Sequence, residues 1–118
     1  MRSARLTLTA DLLRAYSRRG NFHSDPEEAR ELGLPGLVAQ GMQVIGPAYG
    51  ALLDEWGEPF LAAGELDVRF VGMVTEDQAV EATIDFDEDV DAATFTVENL
   101  DKSHVAAVGT AKIGTQEA

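Results

Sequence analysis

Asn21, His23 and Asp25 alternate along a short polar stretch, and the run Gly36-Leu37-Val38-Ala39-Gln40-Gly41-Met42 follows it. Imidazole titrates near neutral pH, so His23 can give or take a proton under ordinary conditions. The segment from Leu32 to Leu53 carries no ionisable group except Tyr49. A titratable imidazole beside an uncharged, glycine-punctuated helix can do proton chemistry on a small carbonyl substrate. Taken alone, a histidine in a polar loop is more commonly an ordinary surface or capping residue.

Elements must hold these residues in place. The alternation Leu6, Thr7, Leu8, Thr9 predicts a short strand from Arg5 to Thr9. Thr9 offers a cap to a brief helix over Ala10–Arg18, and a polar loop runs from Arg18 to Ser24. Asp25 caps a second short helix, which Pro26 opens and Gly33 ends. Val38, Met42, Ile45, Tyr49, Leu52 and Trp56 recur at helical spacing and predict the apolar face of a central helix, most of it core. Pro47 either kinks that helix or moves the start of its regular part to near Gly46.

The second half alternates as strands do. The runs are Leu61 to Val74, Ala79 to Phe86, Ala92 to Leu100 and Val105 to Ile113. The spacing between them is too tight for helical crossovers, so a mostly antiparallel sheet is expected. One strand, small helices, one central helix and four consecutive strands make an α+β domain in which a sheet wraps a helix, spanning residues 1–118.

Bulk composition excludes several functions. A 118-residue chain with 45% hydrophobic residues can bury the core of one domain. Its formal net charge of −12 leaves no basic stripe for nucleic acid and no attraction to anionic membranes. Without cysteine there is neither disulfide nor thiolate, and two histidines are too few for a histidine-rich metal site. No metal and no cofactor are expected. Charged residues interrupt any N-terminal apolar run, and the 32–53 stretch holds five glycines and two prolines, so a buried helix explains it better than a membrane span. A cytoplasmic location is the expectation. The Asp87-Glu88-Asp89-Asp91 run lacks the glycine and closing glutamate of a calcium loop and reads as a solvated turn. His104 reads as solvent-facing.

Several blocks together resemble the MaoC-like hydratase/dehydratase family of hotdog proteins. They are His23-Ser24-Asp25 with Ala29, Gly33-Leu34-Pro35, Val38-Ala39-Gln40-Gly41-Met42, and Val68-Arg69-Phe70 with Val74. His23 and Gly41 stand 18 positions apart, as is typical of that family. The resemblance implies a hotdog fold and hydration of a 2-enoyl thioester, or the reverse dehydration of a 3-hydroxyacyl thioester. It implies that His23 exchanges the proton and that the Gly41 N–H polarises the thioester carbonyl. A preorganised donor of that kind contributes about 10²–10³ in rate. Gln40 and Met42 flank that glycine as substrate-binding candidates.

One element of the pattern is missing. The family aspartate falls five residues before His23, where this chain has Arg18. Asn21 can orient the water instead, the proton shift can serve a related substrate, or the chain can be a silent subunit beside an active partner. A hotdog thioesterase is a further alternative, with Gln40 the only polar candidate at the central helix. Arg18 and Arg19, with Arg14, can meet the phosphates of coenzyme A or an acidic carrier protein. They read equally well as a solvated helix end. The expected partners are the thioester substrate and a second hotdog chain, in a homodimer or a heterodimer, because pairing sheets removes their edges.

Overall fold

The computed structural model describes residues 1–16, 26–33, 37–87 and 90–114 of the 118-residue chain. Five strands form one sheet: β1 (Arg2–Leu8), β2 (Gly64–Phe70), β3 (Gln78–Asp87), β4 (Ala92–Asn99) and β5 (His104–Ile113). Their spatial order is β1-β3-β4-β5-β2, and every neighbouring pair is antiparallel. The helices are α1 (Ala10–Tyr16), α2 (Pro26–Glu31), α3 (Gly41–Val44), α4 (Gly46–Trp56) and α5 (Glu58–Ala63). None of them is long and apolar enough to cross a membrane.

The period of two sorts the sheet into a core face and a polar face. On β4, Ala93, Phe95, Val97 and Asn99 are buried, while Thr94, Thr96 and Glu98 are exposed. On β3, Val80, Ala82 and Ile84 lose all contact with solvent. Helix α4 covers the β1 and β3 side of this face, and α5 covers β2 and β5. Leu52 of α4 is fully buried, and burying a side chain of that size stabilises the fold by about 1.5–3 kcal/mol. Ala48 and Ala51 keep the helix close to the sheet. This is the expected α+β hotdog layout.

The first strand begins three residues earlier than the alternation predicts. Arg2 and Arg5 are tolerated because each side chain reaches an acid: Arg2 pairs with Asp54 of α4, and Arg5 with Glu81, directly across the β1–β3 ladder. The hydrogen bond to Glu81, and then its charge, holds the Arg5 guanidinium above its ordinary pKa. Thr9 caps α1 as expected, its Oγ1 accepting the Leu12 N–H at 3.2 Å.

The central helix divides at Ile45, with α4 starting at Gly46. Pro47 has no N–H to give the Gln43 carbonyl, so one helix cannot run through. In the first turn of α4 that loss leaves no bond unmade. The apolar stripe therefore needs two corrections. Val38 precedes the helix in an extended strap, bridged to Thr75, with Ala39 N–H donating to the Val74 carbonyl at 2.8 Å. Met42 is not core but 51% exposed.

Helix α5 is absent from the sequence-based expectation, which places a strand from Leu61. Gly57, at φ 66°, ends α4 and lets the chain turn, and Pro59 opens the next helix. Asn99, wholly buried, fastens two turns together. It donates to the Met73 carbonyl and Gln78 Oε1 and accepts from the Asp101 and Lys102 amides.

Candidate active site

Gly41 opens α3 at the end of the strap formed by residues 37–39. The strap is held at both ends: at one, Leu37 N–H donates to Glu76 Oε1 at 2.9 Å and Glu76 N–H returns to the Leu37 carbonyl at 2.8 Å, and at the other Ala39 N–H donates to the Val74 carbonyl. The Gln40 carbonyl then accepts from Gln43 and Val44, at 3.0 and 3.1 Å, and starts the turn. The Gly41 and Met42 N–H groups donate to no group among the described residues, and no side chain caps them. They are the free donors that open any helical turn. Because α3 is a single turn, these local N–H groups supply the polarity, and a long helix dipole does not.

The ring of Phe70, the last residue of β2, lies on Gly41. A Cβ at position 41 would stand 2.6 Å from Phe70 Cζ and 2.9 and 3.0 Å from the two Cε atoms. The glycine is therefore required by its aromatic neighbour, quite apart from any substrate that must approach it. Phe70 is 50% exposed, as are Met42 (51%) and Met73 (47%) to similar degrees, so the donors sit at an apolar rim open to solvent. The motif Val68-Arg69-Phe70 thus carries a function that its sequence alone does not state: it delivers the ring that walls the glycine.

Gln40 is half-buried in extended conformation (φ −71°, ψ 151°) immediately before the free amides. Met42 is exposed beside them. His23, Asn21, Arg18, Arg19 and the Asp25 cap lie outside the described residues. Their segment is bracketed by α1, ending at Tyr16, and α2, beginning at Pro26, while Gly33 closes α2 at φ 75°.

Sequence reasoning overlooked Gln43. Only 8% exposed, it reaches across to α1 and donates from Nε2 to the Leu12 carbonyl at 3.0 Å. Its Oε1 is buried with no partner among the described residues. A buried unpaired acceptor costs about 1–3 kcal/mol, whereas a made hydrogen bond contributes about 1 kcal/mol net. The signal was a second glutamine in a stretch that is otherwise apolar or small.

His104 departs from its expected solvent-facing place. It is half-buried, its ring against Gly72, with Nδ1 3.2 Å from the carbonyl oxygen of Val105. Among the described residues no three His, Asp or Glu side chains gather as metal ligands. A depression of about 670 Å³ lies toward the end of β2 away from Phe70, with Asp67, Asp85, Asp87 and Glu65 around Thr94 and Thr110. Its acidic wall suits no anionic substrate, and the free amides of α3 are not part of it.

A family model described as MaoC like domain matches residues 3–108. No curated protein matches the chain. Among solved structures, a MaoC-like dehydratase from Phytophthora capsici superposes with a TM-score of 0.78 at 19% identity, over 98% of this chain and 42% of that one. The chain thus spans less than half the length of that relative. An (R)-hydratase from A. caviae involved in PHA biosynthesis gives 0.67 at 20% identity, over 96% of this chain and 95% of that one. A C-terminally truncated HadBC (3R-hydroxyacyl-ACP dehydratase) complex from Mycobacterium tuberculosis gives 0.66 at 19% identity, over 91% and 89%.

Proposed function

The chain belongs to the MaoC-like domain family, and from that premise we propose that it is a hydro-lyase that hydrates a 2-enoyl thioester and, in reverse, dehydrates the 3-hydroxyacyl thioester. The observation that carries the reading is the Gly41 N–H beneath the Phe70 ring, without an acceptor among the described residues, at the place in the chain where the family motif puts its donor.

In the forward direction water adds its oxygen to C3 and a proton to C2. Negative charge gathers on the thioester oxygen as the new C–O bond forms. The Gly41 N–H, already oriented by the strap and the turn, donates to that oxygen without reorganising. His23 takes the proton from water and returns one to C2, and Asn21 orients the water. General acid–base help of this kind contributes about 10²–10⁴ in rate. Gln40 and Met42 flank the acyl group, and Arg18 and Arg19 bind the phosphates of its carrier, coenzyme A or an acyl carrier protein.

A second hotdog chain is part of this reading. The two sheet edges differ. On β1, Arg2 and Arg5 are committed to ion pairs. On β2, half-buried Leu66 and Val68 lead into exposed Phe70, Val71 and Met73. A partner sheet placed at β2 would cover the exposed Phe70, Val71 and Met73. Arg18, at the position of the family aspartate, favours a second form of the proposal, in which this chain binds thioester as the silent half of a heteromeric hydratase. The similarity to the HadBC complex supports the same form. The thioesterase alternative is disfavoured, because Gln40 adds no nucleophile or base at the turn.

The test is hydration of crotonyl-CoA by the purified chain and by His23→Ala, followed as loss of enoyl absorbance. Turnover that falls by about 10²-fold or more in the variant supports His23 as the proton carrier. Equal turnover in both removes it from the mechanism. No turnover in either, from folded protein, moves the reading to the silent partner.

A further inference from the structure

The open edge of the sheet carries charges that the chain itself does not match. β2 pairs with β5 on one side, and no strand among the described residues pairs with the other. Leu66 and Val68 pack on the core, while Glu65, Asp67 and Arg69 project from the opposite face and are exposed. Lys112, directly across the β2–β5 ladder, meets Glu65 at 3.5 Å. Asp67 and Arg69 have no ion-pair partner among the described residues. An acid and a base two positions apart on an unpaired edge make that edge complementary to a second copy of itself. The β1 edge offers no such match: it carries Arg2 and Arg5 but no carboxylate, and both arginines are already paired.

We propose that β2 pairs antiparallel with β2 of a second copy of this chain, centred on Val68, so that Asp67 of each copy faces Arg69 of the other. Side chains directly opposite in an antiparallel pair share a face, so even-numbered residues must meet even-numbered ones and odd must meet odd. The backbone imposes the same rule. The Val71 N–H donates to the Ala106 carbonyl of β5, and by the alternation of the ladder Leu66, Val68 and Phe70 turn their own N–H and C=O groups to the open edge. Charge then selects among the registers that remain. Centring on Leu66 sets Glu65 against Asp67, and centring on Arg69 sets that guanidinium against its own copy. Centring on Asp67 faces Glu65 with Arg69 but opposes the two Asp67 carboxylates at the axis. Only centring on Val68 opposes unlike charges without opposing like ones. It also sets Leu66 of the partner subunit opposite Phe70, whose ring walls Gly41. The inference rests on the hydratase reading only in that consequence for the Gly41 site; the pairing itself rests on the edge.

Asp67→Arg, Arg69→Asp and the double exchange, each in the full chain, test the proposal by light scattering over a range of concentrations. The parent is expected at twice the chain mass. Each single variant sets like charges opposite each other on both sides of the axis, so its dimer dissociation constant should rise by about 10- to 100-fold. Asp67→Arg should do so although it reduces the net charge of −12, which by itself would ease association. Mixing the two single variants should restore the dimer, and so should the double exchange, because both re-create the unlike pairs. A monomeric parent overturns the proposal. So do single variants that dimerise as the parent does, and so does a mixture or a double exchange that stays as weak as the single variants. A parent that dimerises in this way without hydrating crotonyl-CoA removes the activity and leaves the pairing in place.

Discussion

At the scale of single residues, Gly41 serves two demands that point to the same amino acid. The Phe70 ring occupies the space a Cβ would need, and in the proposed hydration a thioester oxygen must reach the N–H. A double-mutant cycle separates them. Gly41→Ala is expected to lower kcat/KM by about 10²-fold by forcing either the ring or the amide to move. If the ring is the cause, adding Phe70→Ala restores part of that loss, because the half-exposed ring no longer competes with the methyl. A double variant no better than Gly41→Ala would mean that substrate approach alone sets the requirement. The glycine was legible in the sequence through its motif. The ring was not, because Phe70 lies 29 positions away and meets Gly41 only when β2 takes the edge of the sheet.

At the scale of elements, glycine and proline do the dividing. Pro47 separates α3 from α4, so Gly41 opens a short turn of its own ahead of the longer helix. Gly57 separates α4 from α5 at φ 66° and ψ −141°, a backbone region essentially reserved for glycine. No neighbour would crowd a Cβ there, so backbone strain is the whole effect of adding one. Gly57→Ala is expected to destabilise the fold by about 1–3 kcal/mol, read as a lower urea midpoint with an unchanged slope. An unaltered midpoint would mean that the α4–α5 junction relaxes at no cost. The Trp56-Gly57-Glu58-Pro59 sequence does contain this stop and start. The alternation that follows from Leu61 obscured it, since a helix as short as α5 shows too few turns to display its own period.

At the scale of the whole molecule, the asymmetry of the two sheet edges decides how copies of this chain, or a sister chain, can meet. The β1 edge is charged and committed. The β2 edge alternates exposed Glu65, Asp67 and Arg69 with Leu66 and Val68 packed on the core, and it ends in exposed Phe70 at the rim around Gly41. Val71→Asp would place a carboxylate on the exposed apolar strip that follows β2. The expected outcome is a shift from twice the chain mass to the single chain mass in light scattering, with hydratase activity lost alongside and the circular dichroism spectrum kept. A particle of unchanged mass would place the interface elsewhere. The net charge of −12 belongs to this scale too. It keeps the molecule soluble, and it sharpens the role proposed for Arg18 and Arg19, which must bind an anionic carrier against the field of the chain as a whole.

The sequence by itself determined the periods, the punctuation and the motifs. Alternation in β3 and β4 set which side chains face inward, because one residue of slip would turn every one of them outward. Thr9, Gly33 and Pro47 marked boundaries because their conformational limits are local. Tertiary structure decided the rest. Strand order placed β2 beside β5 and β1 beside β3, neither pair adjacent in sequence, and so brought Phe70 onto Gly41. It drew Val38 out of the helical stripe into a strap and left Met42 exposed, although both kept helical spacing. It buried Gln43 with its Nε2 paired to Leu12 and its Oε1 without a partner among the described residues. Local preference reaches only a few residues along the chain, whereas these contacts form between segments tens of residues apart, where packing of the finished sheet and helices sets the partners.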